Sequence, residues 1–188
     1  MQVYDAIMSR RTVRKFSQKP IPEEMLIKLV DCARMAAYAA NIQPLKFAII
    51  HAPDLCEKVF PFTKWAGYLE DGAPKENERP TAYLALLGDT TLKKSFDLDT
   101  GAAGTTILLA AEEMGLGACW IGSLDKPALS ELFNLDATLS LTHLIALGYP
   151  AEKSRPVPME ADVKYFYTSD SYLNVPKRCL EDVLINIR

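Results

Sequence analysis

Two arginines and a threonine near the N-terminus have the types and spacing to bind a phosphate. The stretch SRRTVRKF, residues 9–16, places Arg10, Thr12 and Arg14 two positions apart, and Thr12 and Val13 favour extended backbone. Side chains two apart in an extended segment share one face. Guanidinium groups offer paired donors to a phosphate, and a hydroxyl adds one more. From spacing alone, a solvated basic strand explains the pattern equally well.

A second basic pair with the same spacing lies near the other end of the chain. Lys153 and Arg155 occur in EKSRPVP, where Pro156 favours extended backbone at Arg155. Two such pairs in one domain can close on a single dianionic group, whereas isolated surface cations are the simpler alternative. The formal net charge of −3 and the lack of a wider basic stripe argue against a nucleic-acid partner.

Two amide side chains between these clusters can pair with the edge of a heteroaromatic ring. Asn41 and Gln43 belong to NIQP, and amides carry both donors and acceptors. An Asn helix cap followed by a Gln-Pro turn is the structural alternative. The glycines of GLGACWIGSLD, residues 115–125, end a helix and enter a strand, the reverse of the order in a dinucleotide-binding motif. We therefore reject a Rossmann-type site.

The cysteines and histidines do not have the spacing of a metal site. The four cysteines are far apart and form no CxxC pair, so free thiols in a reducing compartment are expected. The two histidines, His51 and His143, each sit in an apolar run, which is typical of satisfied strand-end residues. We predict no metal and no metal-dependent hydrolysis.

The composition is that of one soluble domain covering residues 1–188. Hydrophobic residues make up 49% and charged residues 24% of the chain, and no apolar run is long enough to span a bilayer. The opening MQVYDAIMSRR lacks the apolar stretch of a secretory signal. We expect a cytoplasmic protein that does not insert into a membrane.

Hydrophobic periodicity predicts two long helices, a short N-terminal helix and four buried strands. The N-terminal helix fades near Arg10, and the long helices cover residues 22–40 and 98–115. Gly101 and Gly104, near the start of the second long helix, would allow another backbone to approach closely. The strands cover residues 46–51, 82–88, 118–122 and 141–148. These elements describe an α/β or α+β domain without fixing the sheet order.

Two segments lack this periodicity. Residues 67–80, GYLEDGAPKENERP, are polar and turn-rich, which indicates a surface loop or a mobile lid. Residues from about 150 to 188 contain many Pro and Tyr residues and regain a pattern only in KRCLEDVLINI. A tail of this kind is a poor candidate for a core of its own, so we expect it to wrap around another surface.

Four segments, in this order, resemble the signature segments of the nitroreductase family of FMN-dependent oxidoreductases. They are SRRTVRKF, NIQP, GLGACWIGSLD and GYPAEKSRP, the last at residues 148–156. The late VPKRCLEDVL, residues 175–184, is similar to the C-terminus of that family. The resemblance extends over nearly the whole chain, from about Ala6 to Leu184.

The resemblance implies an α+β fold with a mixed, mainly antiparallel central sheet surrounded by helices. It also implies an obligate homodimer with two FMN sites at its interface and with C-terminal tails, from about residue 150, exchanged between subunits. The phosphate ligands of the family match Arg10, Thr12, Lys153 and Arg155. The full predicted cofactor-binding set is Arg10, Arg11, Thr12, Arg14, Asn41, Gln43, Ile121, Gly122, Ser123, Lys153 and Arg155.

Four of these positions are implied to act at the flavin ring. Arg14 and Asn41 match residues that reach the pyrimidine edge, where a cation stabilises the anionic reduced flavin. Gly122 and Ser123 match the turn whose backbone N–H points at flavin N5. Flavin carries the electrons, so no catalytic side chain is expected.

The chain departs from the family pattern beside the amides. Ala37, Tyr38 and Ala39 stand where relatives often have Pro-Ser-Ser, a stretch that contacts the flavin of the partner subunit, and Leu45 stands where an aromatic residue often follows. The loss of hydroxyls removes side-chain contacts and leaves backbone ones. Little sequence separates Asp54 from Pro80, so an open substrate face is expected.

The implied reaction is ping-pong: NADH or NADPH delivers hydride to FMN, and a flat acceptor such as a nitroaromatic or quinone replaces the nicotinamide. An open, partly apolar slot discriminates poorly between flat acceptors. Two alternatives remain at this point. One is an FMN-binding or sensory protein without turnover, and the other is a specialised member such as a dehalogenase, an azoline dehydrogenase or a flavin-fragmenting enzyme.

Overall fold

A central antiparallel sheet with helices on both faces forms the body of the computed structural model, which describes residues 1–186. The helices are α1 (Val3–Ser9), α2 (Glu23–Arg34), α3 (Pro53–Val59), α4 (Asp97–Glu113), α5 (Lys126–Leu132) and α6 (Leu180–Val183). The strands are β1 (Phe16–Ser17), β2 (Leu45–Ile50), β3 (Ala82–Asp89), β4 (Gly117–Ile121), β5 (Leu139–Pro150), β6 (Lys153–Pro158), β7 (Phe166–Tyr167) and β8 (Tyr172–Lys177).

The twelve-residue strand β5 organises the central sheet. It pairs with β1, β3 and β4, and β3 pairs in turn with the edge strand β2, all antiparallel. The N-terminal segment adds a parallel contact to this antiparallel sheet, an isolated bridge between Thr12 and Ala118. Antiparallel pairing with helices packed on the faces is an α+β arrangement, so the predicted fold class is confirmed and the α/β alternative is wrong.

The four predicted strands are confirmed as β2, β3, β4 and β5, and the central ones, β3 and β5, contain the most deeply buried residues. All eight residues of β3 are buried, and Leu144 to Leu147 of β5 are fully buried beside it. Burial on both faces replaces polar–apolar alternation by a continuous apolar run, which is the pattern the sequence shows. Helices α2 and α4 cover one face of the sheet and α3 and α5 the other.

Helix α2 is shorter than its sequence predicts. The prediction of a helix over residues 22–40 is wrong after Arg34, and a short 3₁₀ turn at Ala39–Asn41 follows. The Tyr38 hydroxyl donates to the Ala33 carbonyl oxygen at 2.9 Å, and Ala40 adopts a left-handed φ of 50°. Tertiary contacts therefore override the helix propensity of this alanine-rich segment.

Helix α4 ends as its glycines predict. Gly115 has a φ of 72°, its N–H bonds to Glu112, and the N–H of Leu116 bonds to Ala111, which together form a Schellman motif. The prediction for Gly104 is corrected in one respect. The group that approaches it is the Trp120 indole, which a Cβ at this position would overlap, and not another backbone.

The predicted tail forms a second, smaller sheet. Strand β6 pairs parallel with β8, and β7 pairs antiparallel with β8. Leu173 and Asn174 of β8 are each 1% exposed. Among the described residues, none after Tyr149 belongs to either of the apolar clusters on the two faces of the central sheet, so the expectation that the tail lacks a core of its own agrees with the structure. The last two residues, 187 and 188, lie outside the described residues.

Candidate functional site

The N-terminal basic segment is fixed between helix α4 and strand β4. The Ser9 hydroxyl donates to Glu112 Oε1 at 2.6 Å, and the Val13 N–H donates to the Ala118 carbonyl at 3.0 Å. Gly117 permits this approach, because a Cβ there would lie 2.8 Å from a Val13 methyl group. The segment from Arg10 to Val13 is therefore held in extended form at the C-terminal end of α4, as predicted.

Arg10 and Thr12 keep their polar groups available. Within residues 1–186, neither side chain makes a hydrogen bond or an ion pair with another side chain or with the backbone. Arg11 differs, because it donates to the Met8 carbonyl at the end of α1 and its Nε is buried without a partner. Burial, followed by the charge of Arg10, lowers the pKa of Arg11. Arg10 and Thr12 are thus the free donors of this segment.

The two basic clusters meet in space through Glu152. Its Oε1 accepts the backbone N–H of Arg14 and, at 3.3 Å, that of Lys15, and the Ala151 N–H donates to the Lys15 carbonyl at 2.8 Å. Lys153 follows directly along the chain and opens β6. Glu152, which precedes Lys153 in the chain, therefore lies against the backbone of the first cluster, and the use of both clusters for one anion stays a prediction.

The two members of the second cluster are not equally free. Arg155 donates from Nε to Asn174 Oδ1 at 2.8 Å, and its Nη2 lies 3.0 Å from Asp170 Oδ2. Lys153 makes no ion pair with any carboxylate among residues 1–186, and its Nζ lies 5.7 Å from the centre of the Tyr172 ring. Lys153 is therefore the uncompensated cation, whereas Arg155 shares its charge with an acid.

Aromatic side chains cover Arg14. Its guanidinium carbon lies 4.5 Å from the centre of the Tyr165 ring, and this ring lies 5.2 Å from that of Tyr68. Tyr68 belongs to the loop at residues 67–80, so the loop and the C-terminal segment meet beside the predicted flavin contact. The short chain predicts an open substrate face, but Tyr165 and Tyr68 cover the surface beside Arg14.

The turn after β4 is backed by a histidine. A Cβ on Gly122 would lie 3.2 Å from His143 Cδ2, and the Ser123 carbonyl accepts the Lys64 N–H at 3.1 Å. Ile121, the last residue of β4, is 3% exposed. Because residue 122 is glycine, the backbone of the turn can lie close to the His143 ring. The buried Ile121 and the hydrogen-bonded Ser123 hold the turn in place on either side.

His143 is not the strand-end residue that its sequence context predicts. It lies within β5 opposite Leu86, next to an irregularity in the strand pairing, and its ring packs edge-on against Trp120 with centroids 5.5 Å apart. Its Nδ1 is buried without a partner among residues 1–186. Burial, and then Lys126, lowers the pKa of His143, against a smaller opposing effect of Asp97. His51, in contrast, directly follows β2 and is exposed, as predicted.

Cys119 packs inside β4 beside this region. Burial raises the pKa of its thiol to about 11, and the nearby charges of Arg14 and Glu152 oppose one another. A thiol of this pKa stays protonated near neutral pH and is a poor nucleophile. The expectation that Cys119 is a packing residue is consistent with this environment.

The amide loop has a strained backbone. Ala40, Asn41 and Gln43 have φ values of 50°, 54° and 52°. Asparagine tolerates this conformation, but each of the others costs roughly 1–3 kcal/mol, which the surrounding structure must offset. The Gln43 Nε2 donates to Asn41 Oδ1 at 3.1 Å. That bond orients the Asn41 amide and leaves its Nδ2 donors free for an external group.

The amide loop and the basic segment lie at opposite ends of helix α4. The Ala39 N–H donates to Asp99 Oδ1 at 3.2 Å, in the first turn of the helix, whereas Ser9 bonds to Glu112 in the last. Glu112 lies thirteen positions after Asp99, which corresponds to about 20 Å of helix. A single protomer therefore does not bring Asn41 next to Arg10, which the sequence alone did not show.

The described part of the chain contains neither a candidate metal site nor a candidate membrane-spanning helix. Among residues 1–186, no group of three or more His, Cys, Asp or Glu side chains is arranged to hold a metal ion. Within the same residues, no helix combines the length and apolar character that a membrane crossing demands.

Comparison with known proteins gives one consistent result. The model of the nitroreductase family matches residues 7–88 and 80–149. A protein of Methanothermobacter thermautotrophicus named "Putative NADH dehydrogenase/NAD(P)H nitroreductase" is 30% identical over 159 residues, which cover 81% of this chain and 79% of that protein. A crystal structure of a protein with the same name from Parabacteroides distasonis is 25% identical, with a TM-score of 0.71 over 90% of this chain and 98% of that one.

A further solved structure matches the whole length of the chain. It is described as "a putative nitroreductase in complex with fmn" from Desulfovibrio desulfuricans, is 23% identical and has a TM-score of 0.73. The match covers 100% of this chain and 98% of that one. At this identity the likeness concerns the fold.

Proposed function

The chain belongs to the nitroreductase family, and on that premise we propose that it is an FMN-dependent oxidoreductase that transfers hydride from NADH or NADPH to a flat organic acceptor. Nitroaromatics and quinones are the acceptor class. The names of the relatives support the nicotinamide donor, and the Desulfovibrio structure supports FMN. The observation in this chain that carries the proposal is the meeting of two basic clusters at Glu152.

The donors at this junction fit the phosphate of FMN. Arg10, Thr12 and Lys153 have free polar groups among the described residues, and Arg11 has a buried Nε without a partner. A dianionic phosphate accepts several charge-assisted hydrogen bonds, and such bonds are about twice as strong as neutral ones. In a chain of net charge −3, Arg10 and Lys153 have no acidic partner among the described residues, and this favours an anionic ligand.

The distance from the phosphate end to the turn after β4 requires an extended ligand. Thr12 bridges to Ala118, and Gly122 lies four residues farther along the strand direction, or about 13 Å. A compact anion cannot contact both places, whereas a nucleotide with a ring at one end can. Ile121, Gly122 and Ser123 are therefore proposed to lie at the ring and the basic residues at the phosphate.

The residues of the chain hold and polarise the cofactor. FMN, when bound, supplies the two-electron chemistry that no side chain here provides. Arg14, fixed through its backbone by Glu152 and through its guanidinium by Tyr165, is proposed to place positive charge at the pyrimidine edge. That charge favours the reduced, anionic form. Tyr68 and Tyr165 are proposed to limit the space open to the acceptor on that side.

The amide loop and the basic segment lie at opposite ends of α4, so the proposed site is shared between two subunits. Because Asn41 and Arg10 lie at opposite ends of a helix segment of about 20 Å, the amide loop is proposed to serve the flavin of a partner subunit. Helix α1 exposes Val3, Tyr4 and Met8 beside an apolar groove of about 310 Å³. Exposed apolar surface of this kind supports a homodimer.

The end of the chain supports the same assembly. Leu180, Val183, Leu184 and Ile185 are each more than half exposed. An isolated helix of four residues with apolar flanks is unstable in water, so α6 gains stability on another surface. We therefore propose that the C-terminal tails are exchanged between subunits. The test is to measure the molar mass in solution of the full chain and of a chain that ends at Lys177, because the shortened chain is expected to dimerise less.

The absorbance spectrum tests the proposed activity. Purified protein is expected to be yellow, or to become so with added FMN, and to bleach when NADH or NADPH is added without oxygen. Return of the colour with a quinone would identify the second half-reaction. Bound FMN that neither nucleotide bleaches would favour the FMN-binding or sensory alternative, and a protein that takes up no FMN would contradict the proposal.

A further inference from the structure

A buried ion pair stands behind the amide loop. Asp99 has no solvent exposure, and its Oδ2 accepts from the Nζ of Lys93, whose side chain is 23% exposed. Its Oδ1 accepts the Ala39 N–H at 3.2 Å. Both oxygens are thus occupied, one by a charge and the other by the backbone of the loop. Its place in the first turn of α4 further stabilises the negative charge.

The loop between Ala39 and Pro44 is fixed at both ends. Asp99 holds the N–H of Ala39 at one end, and the carbonyl of Pro44 accepts the N–H of Asp89 at 2.8 Å at the other. Three left-handed residues lie between these two bonds. Strain of this kind persists only where the surroundings determine the conformation. Among residues 1–186, the Asp99 carboxylate is the one charged group that hydrogen-bonds to the loop backbone before the strained residues begin.

The charge of Asp99 also acts on the side chain of Tyr38, which directly precedes the loop. Burial, and then the Asp99 charge, raises the pKa of Tyr38, whose hydroxyl closes the end of α2 by bonding to Ala33. The residues that precede the amides are Ala37, Tyr38 and Ala39, so no hydroxyl of a Ser or Thr is present there to hold the backbone. The Asp99 carboxylate, which accepts the Ala39 N–H, holds this stretch in place instead.

We propose that Asp99, held by Lys93, is a positioning residue that sets how the Asn41 amide meets the flavin. The inference rests on the proposed function, because it takes the amide loop as a flavin contact. Asp99 does not touch the cofactor. It acts by keeping Ala39, and through it Asn41, in the conformation that exposes the Nδ2 donors. A donor at the pyrimidine edge stabilises the reduced flavin more than the oxidised one.

Two variants break the pair and one preserves it. Asp99→Ala removes the acceptor of the Ala39 N–H, and Lys93→Ala leaves a buried carboxylate without its cation. Lys93→Arg keeps the charge and is the conservative rescue. Lys46→Ala is the matched control, because Lys46 Nζ lies 3.0 Å from Asp89 Oδ2 near the other end of the same loop and does not contact Ala39.

Three measurements separate a positioning role from a purely structural one. Hydrogen exchange of the Ala39 amide in flavin-free protein is expected to accelerate in both Ala variants. The dissociation constant of oxidised FMN is expected to rise about two- to tenfold, the effect of losing one hydrogen bond between neutral groups. The two-electron reduction potential of the bound flavin is expected to become more negative. Lys93→Arg and Lys46→Ala are expected to match the parent protein in all three.

The outcomes are distinct. Ala variants with an unchanged FMN dissociation constant and an unchanged potential would overturn the inference, even if they unfold at lower temperature. If Asp99→Ala does not fold, Lys93→Ala decides in the same way, because its side chain is partly exposed. Parent protein that binds no FMN would instead contradict the proposed function, whereas parent protein that binds FMN while the variants match it contradicts only the role of Asp99.

Discussion

Arg155 and Asp170 form an ion pair, with Nη2 of the arginine 3.0 Å from Oδ2 of the aspartate. The two groups are both nearly half exposed, and the Asn174 side chain accepts from the Nε of the same guanidinium. The acid therefore competes with a phosphate for one of the cations that the family resemblance assigns to FMN. Lys153, two residues earlier, has no such competitor among residues 1–186.

The variant Asp170→Asn is expected to bind FMN more tightly. Because exposed ion pairs contribute at most about 1 kcal/mol, the dissociation constant should fall by up to about fivefold. Fluorescence titration of flavin-free protein measures it. Asp162→Asn is the control, since Asp162 pairs with Lys164 at 3.5 Å in the same segment of the chain. A weaker affinity in Asp170→Asn would mean that the acid orients Arg155 for the phosphate instead of competing with it.

The variant Arg10→Ala is expected to lose FMN. Removal of one charge-assisted hydrogen bond to phosphate costs about 1.5–3 kcal/mol, so the dissociation constant should rise roughly ten- to hundredfold. Flavin content after desalting and a titration both report the change. Arg34→Ala removes an arginine that is paired with Asp31 on α2 and should retain the cofactor. Equal flavin content in both variants would contradict the phosphate assignment.

Two glycines of helix α4 are expected to respond to alanine in opposite directions. A Cβ at Gly101 meets no atom within 4 Å, so Gly101→Ala should stabilise the protein by up to about 1 kcal/mol through helix propensity. A Cβ at Gly104 overlaps the Trp120 ring, so Gly104→Ala should destabilise it by about 1–3 kcal/mol. Midpoints of urea unfolding compare the two. A rise in both midpoints would show that the indole moves aside freely, and a fall in both would contradict the prediction for Gly101.

The sequence predicted the central strands because their burial is visible in local composition. Strand β3 is apolar from residue 82 to residue 88 because both of its faces are covered, and β5 is apolar where β3 and β4 flank it. Strands β6 and β8 were not predicted because both contain proline and neither has the continuous apolar run of the central strands. The end of α2 was missed for a similar reason, since a bond from Ala39 to the distant Asp99 determines it.

The residue types of the candidate site could be predicted, but not their neighbours. Arg10, Thr12 and Lys153 follow from spacing and from the family resemblance. The contact of Glu152 with the Arg14 backbone joins residues far apart in the chain, and no local pattern predicts it. The distance between the ends of α4 is equally non-local. It decides that the amide loop and the basic segment do not meet in one protomer.

The unfolding free energy is expected to fall as the pH drops below about 6.5, and His143 is the cause. In the folded protein its pKa lies below the ordinary value near 6.5, chiefly because of burial. The unfolded chain therefore binds more protons in the window between the folded and the unfolded pKa. Stability is full above the unfolded pKa and is lost as the pH falls through that window, with a slope of up to about 1.4 kcal/mol per pH unit.

The variant His143→Gln is expected to flatten this dependence, because glutamine does not titrate. Urea unfolding between about pH 5 and 7.5 measures the slope for each protein. His51→Gln is the control, since His51 is exposed after β2 and is the only other histidine in the sequence. If His51→Gln removed the slope and His143→Gln kept it, burial of His143 against Trp120 would not be the origin of the pH dependence.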